Sequence, residues 1–126
     1  MEILKNNPAP EQEDEFNEAV REAEADPTTE YVHEFKKPFT WMGKTYEKLH
    51  FDFDMLTGRD SLAIENELQA LGIMVMVPTF SGPYLLRVAA KACKDGLGVD
   101  AFEAMRISDY NRIRAKVRNF LLTSEQ

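Results

Sequence analysis

The chain has 126 residues, 44% of them hydrophobic, with 15 Lys and Arg against 22 Asp and Glu for a formal net charge of −7. That length fits one domain, and the acidic balance argues against a general nucleic-acid coat or a polybasic membrane binder. The single cysteine excludes an intramolecular disulfide framework, no apolar run approaches the roughly 20 residues that cross a bilayer, and the acidic amino-terminal stretch is unlike a basic presequence, so a cytosolic protein is expected.

The charge is divided along the chain. Residues 1–30 carry ten acidic side chains against two basic ones, a net −8, whereas the remainder sums to +1. An acidic leader over 1–30, partly disordered or transiently helical, is therefore expected ahead of one folded domain over 31–126. Within the leader, 11–25 is rich in helix formers, but its only large apolar residues are Phe16 and Val20, at i, i+4. The helix should end at Asp26-Pro27, because proline disfavours helical geometry in the residue before it. Such a segment is either a solvated tail or a docking helix that orders on a partner.

At Tyr31 the composition changes. Apolar residues recur on odd positions, first Tyr31, Phe35, Phe39 and Trp41 and then, after Gly43, Leu49, Phe51 and Phe53. This pattern predicts an antiparallel hairpin with one aromatic face. A two-residue loop pairs odd with even positions, so the shared parity demands a loop of odd length or a bulge. A three-residue loop, Met42-Gly43-Lys44, places Phe35 opposite Phe51 and Trp41 opposite Thr45. Pro38 lacks an N–H and marks an edge position or a bulge. Two strands alone are marginal in water, so helices must cover the aromatic face.

Thr57-Gly58-Arg59-Asp60 has the form of a helix start, with Thr57 as N-cap and Asp60 standing in for the capping-box Glu. Ile64, Leu68 and Leu71 repeat at i, i+4, i+7, and Gly72 suits the left-handed position after a helix end, which predicts a helix from about 58 to 71. Ile73 to Val77 is apolar on both faces until Pro78, and its length suits a buried or edge strand. Gly82-Pro83 opens a helix whose stripe is Tyr84, Leu85, Val88, Ala89 and Ala92. Asp100 is placed to cap a short helix carrying Phe102 and Met105, and Ser108 to cap the last, with Tyr110, Ile113, Val117, Phe120 and Leu121. The expected fold class is α+β, an N-terminal antiparallel β-hairpin packed against a C-terminal bundle of about four helices.

No catalytic, metal-ligating or cofactor-binding residues are assigned. Phe51-Asp52-Phe53-Asp54 is superficially similar to the aspartate signature of haloacid dehalogenase-type phosphotransferases, but Met55-Leu56 interrupts the spacing and the chain is too short for that α/β domain. A calcium loop fails because Leu56, Thr57 and Ala63 fall where a ligand, a glycine and a glutamate are needed. The carboxylates of Asp52 and Asp54 are better read as ending the strand and supporting the next helix. Cys93 lies among Ala89, Ala90 and Ala92 and reads as a small buried residue; His33 and His50 have no informative context. Gly96-Leu97-Gly98 lacks the later glycine and the lysine of a phosphate loop.

Two features exceed a plain core. If the domain cannot cover both faces of 73–77, then Met74, Met76 and Val77 present a flexible apolar edge suited to varied partners; burial in the domain's own core is the alternative favoured here. The last helix carries Arg112, Arg114, Lys116 and Arg118, which flank its apolar stripe as a solvated surface or as the counterpart of the acidic leader. Thr57, Gly58 and Asp60 are assigned to structure. The hairpin edges and 73–77 invite self-association without setting a number of subunits.

Phe35-Lys36-Lys37-Pro38-Phe39, Gly43-Lys44-Thr45-Tyr46, Phe51-Asp52-Phe53 leading into Leu56 to Asp60 and Ile64-Glu65, Val75 to Phe80, Asp109-Tyr110-Asn111 and Arg118 to Leu122 together carry a further signal. Through them the segment from Glu34 to Leu122 resembles the small tail assembly chaperones of tailed bacteriophages and prophages. The resemblance implies a non-enzymatic protein of the bacterial host cytoplasm that binds tape-measure protein and helps recruit tail-tube subunits; composition and the lack of site motifs lead us to expect no cofactor and no membrane or nucleic-acid partner. The acidic leader is not part of that pattern. Competing readings are a small structural tail-completion or connector protein of the virion, and a nucleic-acid-binding regulator acting through the basic last helix.

Overall fold

A computed structural model describes residues 14–18, 20–21 and 29–124. The described body is α+β: strands β1 (Glu30–Trp41) and β2 (Lys44–Asp52) form an antiparallel hairpin, followed by helices α1 (Gly58–Ala70), α2 (Gly82–Ala92), α3 (Val99–Glu103) and α4 (Ile107–Ser124). Single 3-10 turns at Phe53–Met55 and Pro78–Phe80 precede α1 and α2. Residues 14–18 and 20–21 of the leader are helical; its expected end at Asp26-Pro27 lies outside the described residues.

The hairpin resolves the parity problem with a bulge, and the three-residue loop is not formed. Met42 and Gly43 alone make the turn, with φ of 51° and 79°. Two successive left-handed residues give a turn twisted to match the strands. Trp41 consequently faces Lys44 and Phe39 faces Tyr46, while beyond the irregularity between Glu34 and Phe39 the partners become His33 with Leu49 and Tyr31 with Phe51. Odd positions of both strands thereby return to one face. Pro38 sits inside the bulge, where no ladder N–H is required. The carbonyls there are held from across the domain, Glu34 O by Arg112 Nη2 of α4 at 2.6 Å and Lys37 O by Arg106 Nη1, just ahead of α4, at 3.4 Å. On the far side of the hairpin, Lys94 N donates to His50 O at 2.8 Å and His50 N to Asp95 Oδ2 at 2.7 Å, so part of the β2 edge is also occupied.

Packing follows the aromatic face. Leu49, Phe51 and Phe53 are buried against Phe102, Ile113, Val117 and the small-residue face of α2, whose Ala89 and Ala92 permit close approach. Rings stack in sequence along the sheet, Phe35 on Phe39 at 5.6 Å and Phe39 on Trp41 at 6.2 Å. Cys93 ends α2, is buried and forms an isolated bridge with Phe51; burial pushes its thiol pKa up, away from reactivity.

The cap of α1 forms as the sequence predicts: Asp60 N donates to Thr57 Oγ1 at 3.4 Å and Thr57 N to Asp60 Oδ2 at 2.8 Å. The Thr57 amide holds the Asp60 carboxyl below its usual pKa. Thr57→Ala should therefore cost about 1 kcal/mol of stability in urea denaturation. Other expected caps shift. Gly98, not Asp100, precedes α3, and Ser108 lies within the first turn of α4, which already begins at Ile107. Asp52 accepts from Asp54 N at 3.1 Å and caps the short turn after β2, so it serves that turn rather than α1.

The strand expected at 73–77 is absent. Gly72, at φ 75°, turns the chain out of α1, and Ile73 to Val77 runs irregularly with no ladder partner among the described strands. The hairpin's neighbouring edge is already occupied by 93–95, and α2 fills the space beneath the aromatic face. Ile73 and Val75 remain half-buried against the core, whereas Met74 and Met76 are each 81% exposed.

Candidate interaction surface

Exposed apolar side chains collect between α1 and α2. Leu71, expected in the buried stripe, is exposed past the end of α1, and Met74, Met76, Val77 and Phe80 follow it on the same connection. This corrects the expectation that 73–77 is buried: alternate residues anchor the segment, and the methionines face solvent. A groove of about 420 Å³ opens beside it, lined by Ile73, Pro83, Leu86, Phe102, Met105 and Ile107. Arg87 and Glu103 supply its charge, and Ile107 is itself 75% exposed. An apolar trough next to an exposed methionine-bearing connection can take a helical or extended apolar segment. Sequence reasoning singled out Met74, Met76 and Val77 but missed Phe80 and Ile107. Ile107 falls ahead of the assumed Ser108 cap, and an earlier helix start was the signal that could have found it.

The basic residues of α4 do not gather into one patch. Arg112 reaches the β1 bulge, Arg114 Nη2 donates to Phe80 O at 3.1 Å, and Lys116 Nζ lies 5.5 Å from the Tyr31 ring centroid. Arg118 is half-buried. Each of the first three is thus committed to contacts that tie α4 to the hairpin or to the exposed loop.

A buried polar cluster lies where β1 meets α4. His33, 0% exposed, sets Nε2 2.9 Å from Oδ1 of buried Asp109, while its Nδ1 is 2.8 Å from Tyr31 Oη and 3.4 Å from Arg112 Nη2. Nε2–H therefore donates to Asp109 and Nδ1 accepts, a tautomer assigned from the partners. Burial lowers the His33 pKa, outweighing the hydrogen bond to Asp109, which raises it; burial raises that of Tyr31. With both ring nitrogens engaged inside the chain, the arrangement is suited to tethering two elements rather than to accepting a substrate proton. The sequence did not single out this cluster; the missed signal is a histidine on an odd, inward position of β1.

His50 pairs instead with Asp95, its Nδ1 3.6 Å from Oδ2, so the two histidines lie in separate environments. Among the described residues no group of three or more His, Cys, Asp or Glu is placed to hold a metal ion, and no helix is long and apolar enough to cross a membrane. No family model matches the chain, and comparison with curated proteins and with solved structures returns no match. The fold and surface define the class: an α+β domain bearing an exposed apolar loop beside a groove.

Proposed function

We propose that this protein is a non-enzymatic tail assembly chaperone of a tailed bacteriophage or prophage, acting in the cytoplasm of the bacterial host. In this reading it keeps tape-measure protein soluble and helps recruit tail-tube subunits around it. The observation that carries the proposal is the pair Met74 and Met76, both 81% exposed, on the connection whose Ile73 lines the 420 Å³ groove. Unbranched thioether side chains adapt to helical clients of varied sequence. Binding of that kind is set by mass action and is released when tube subunits compete. The motif resemblance from Glu34 to Leu122 points to the same activity.

Co-expression with the tape-measure protein of the same locus tests it. The wild-type chain should hold the client in the soluble fraction and co-purify with it. Met74→Ser/Met76→Ser changes only exposed side chains; it should weaken the complex about tenfold with unchanged melting, and Thr57→Ala should leave affinity unaltered wherever the domain is folded. A client that aggregates equally with and without the chain, or the chain's presence in purified virions, would refute the proposal.

A further inference from the structure

The leader is seated on the body at a defined place. Phe16 and Val20, one helical turn apart, meet two body side chains: Phe16 lies edge-on to Phe80 with ring centroids 6.4 Å apart, and Val20 packs on Leu122. Leu122 is only 5% exposed, yet it stands apart from the main core and its apolar partner among the described residues is Val20. The body therefore presents an apolar seat that the leader seals. A cation marks its edge, because Arg114 Nη2 is bonded to the Phe80 carbonyl at 3.1 Å. Arg114, Arg118 and Leu122 follow one another at i, i+4, i+8 along one face of α4. The helical leader residues bring Asp14, Glu15 and Glu18 against Arg21 alone. The apolar pair fits the seat, and the described leader residues are net acidic where this face of α4 carries Arg114 and Arg118.

The closure is shallow. Phe16 keeps 48% of its surface exposed and Phe80 40%, so modest apolar burial opposes the entropy of ordering the tethered helix. Among the described residues the main core contains none from the leader. We propose that the Phe80–Leu122 seat is a docking site for an acidic amphipathic helix of a partner protein, one presenting a large apolar pair at i, i+4 among carboxylates, and that the leader is its intramolecular placeholder. The tether gives the leader a high effective concentration, so a partner helix must outcompete it. This docking holds whether or not the client is a tape-measure protein.

A fluorescent synthetic peptide with the sequence of residues 11–25 tests the proposal, titrated at low salt against full-length chains. Phe16→Asp/Val20→Asp, which releases the leader, should bind it about tenfold or more tightly than wild type. Adding Leu122→Asp should abolish the gain, and so should adding Phe80→Ser, an exposed change that keeps the test available if the Leu122 variant fails to fold. A peptide with Glu15 and Glu18 replaced by Lys should bind about tenfold more weakly, a difference that shrinks with added salt. Equal binding by wild type and the released variant would overturn the proposal, as would indifference to Leu122 and Phe80 or to the peptide's charge. Sedimentation showing wild-type dimers that dissociate in the Phe16→Asp/Val20→Asp variant would assign the seat to a second copy of the chain and equally overturn it.

Discussion

Phe53→Ala should lower the unfolding free energy by about 4 kcal/mol, measurable as a reduced urea midpoint with an unchanged slope. Phe53 is fully buried at the end of the hairpin, stacked on Phe51 at 6.0 Å and on Phe120 of α4 at 5.4 Å. Its amide also donates to Thr29 O at 2.8 Å, which fixes the ring's position at the hairpin base. The flanking aromatic rings cannot collapse freely into the space it leaves, so the lost transfer free energy and the cavity add. For a domain of this size total stability is about 5–15 kcal/mol, and the substitution should shift melting by about 20 °C. Leu62→Ala, at an exposed position of α1, is the control and should change stability by less than about 0.5 kcal/mol. Equal effects at the two positions would contradict the packing described.

Asp109→Ala should cost about 2 kcal/mol, because it strands the buried Nε2–H of His33 without an acceptor. The same pair makes stability depend on pH in a defined window. The unfolded chain titrates His33 near its ordinary value of about 6.5, whereas burial lowers the folded pKa. Below pH about 6.5 the unfolded state binds the proton more readily, so this contribution is complete above that value and is lost as pH falls toward the folded pKa. His33→Gln, which keeps a polar side chain but does not titrate, should flatten the stability profile between pH 5 and 7. Asp60 adds a separate loss at lower pH, since its carboxyl is held below the usual range. A wild-type profile that is flat from pH 7 to pH 5, or one that His33→Gln leaves unchanged, would show that His33 is not held neutral in the fold.

These two tests probe the scaffold and leave the proposed binding surfaces in place. Met74 and Met76 themselves lie outside the buried cluster, and Leu122 of the leader seat stands apart from it. Client binding and leader exchange can therefore be altered with little change in melting, while Phe53 and Asp109 alter melting first.

Much of the architecture was legible in the chain. Alternation of large apolar residues implied the hairpin, Thr57 and Asp60 marked the start of α1, and Gly82-Pro83 opened α2. The parity of the two strands even required a bulge or an odd loop, but local pattern does not choose between them. The structure does so through Met42 and Gly43, both left-handed, and through Arg106 and Arg112, whose side chains satisfy the carbonyls of the bulge. Sequence spacing likewise located Met74, Met76 and the arginines of α4 without showing their surroundings.

The sequence by itself determined the fold class and the α1 cap, because each depends on neighbours a few residues apart. Tertiary structure alone decided that 73–77 is an open loop, that His33 finds Asp109 across 76 positions, and that Phe16 and Val20 rest on Phe80 and Leu122. Those outcomes depend on which surfaces the hairpin and α2 have already covered, and long-range burial leaves no fixed spacing along the chain.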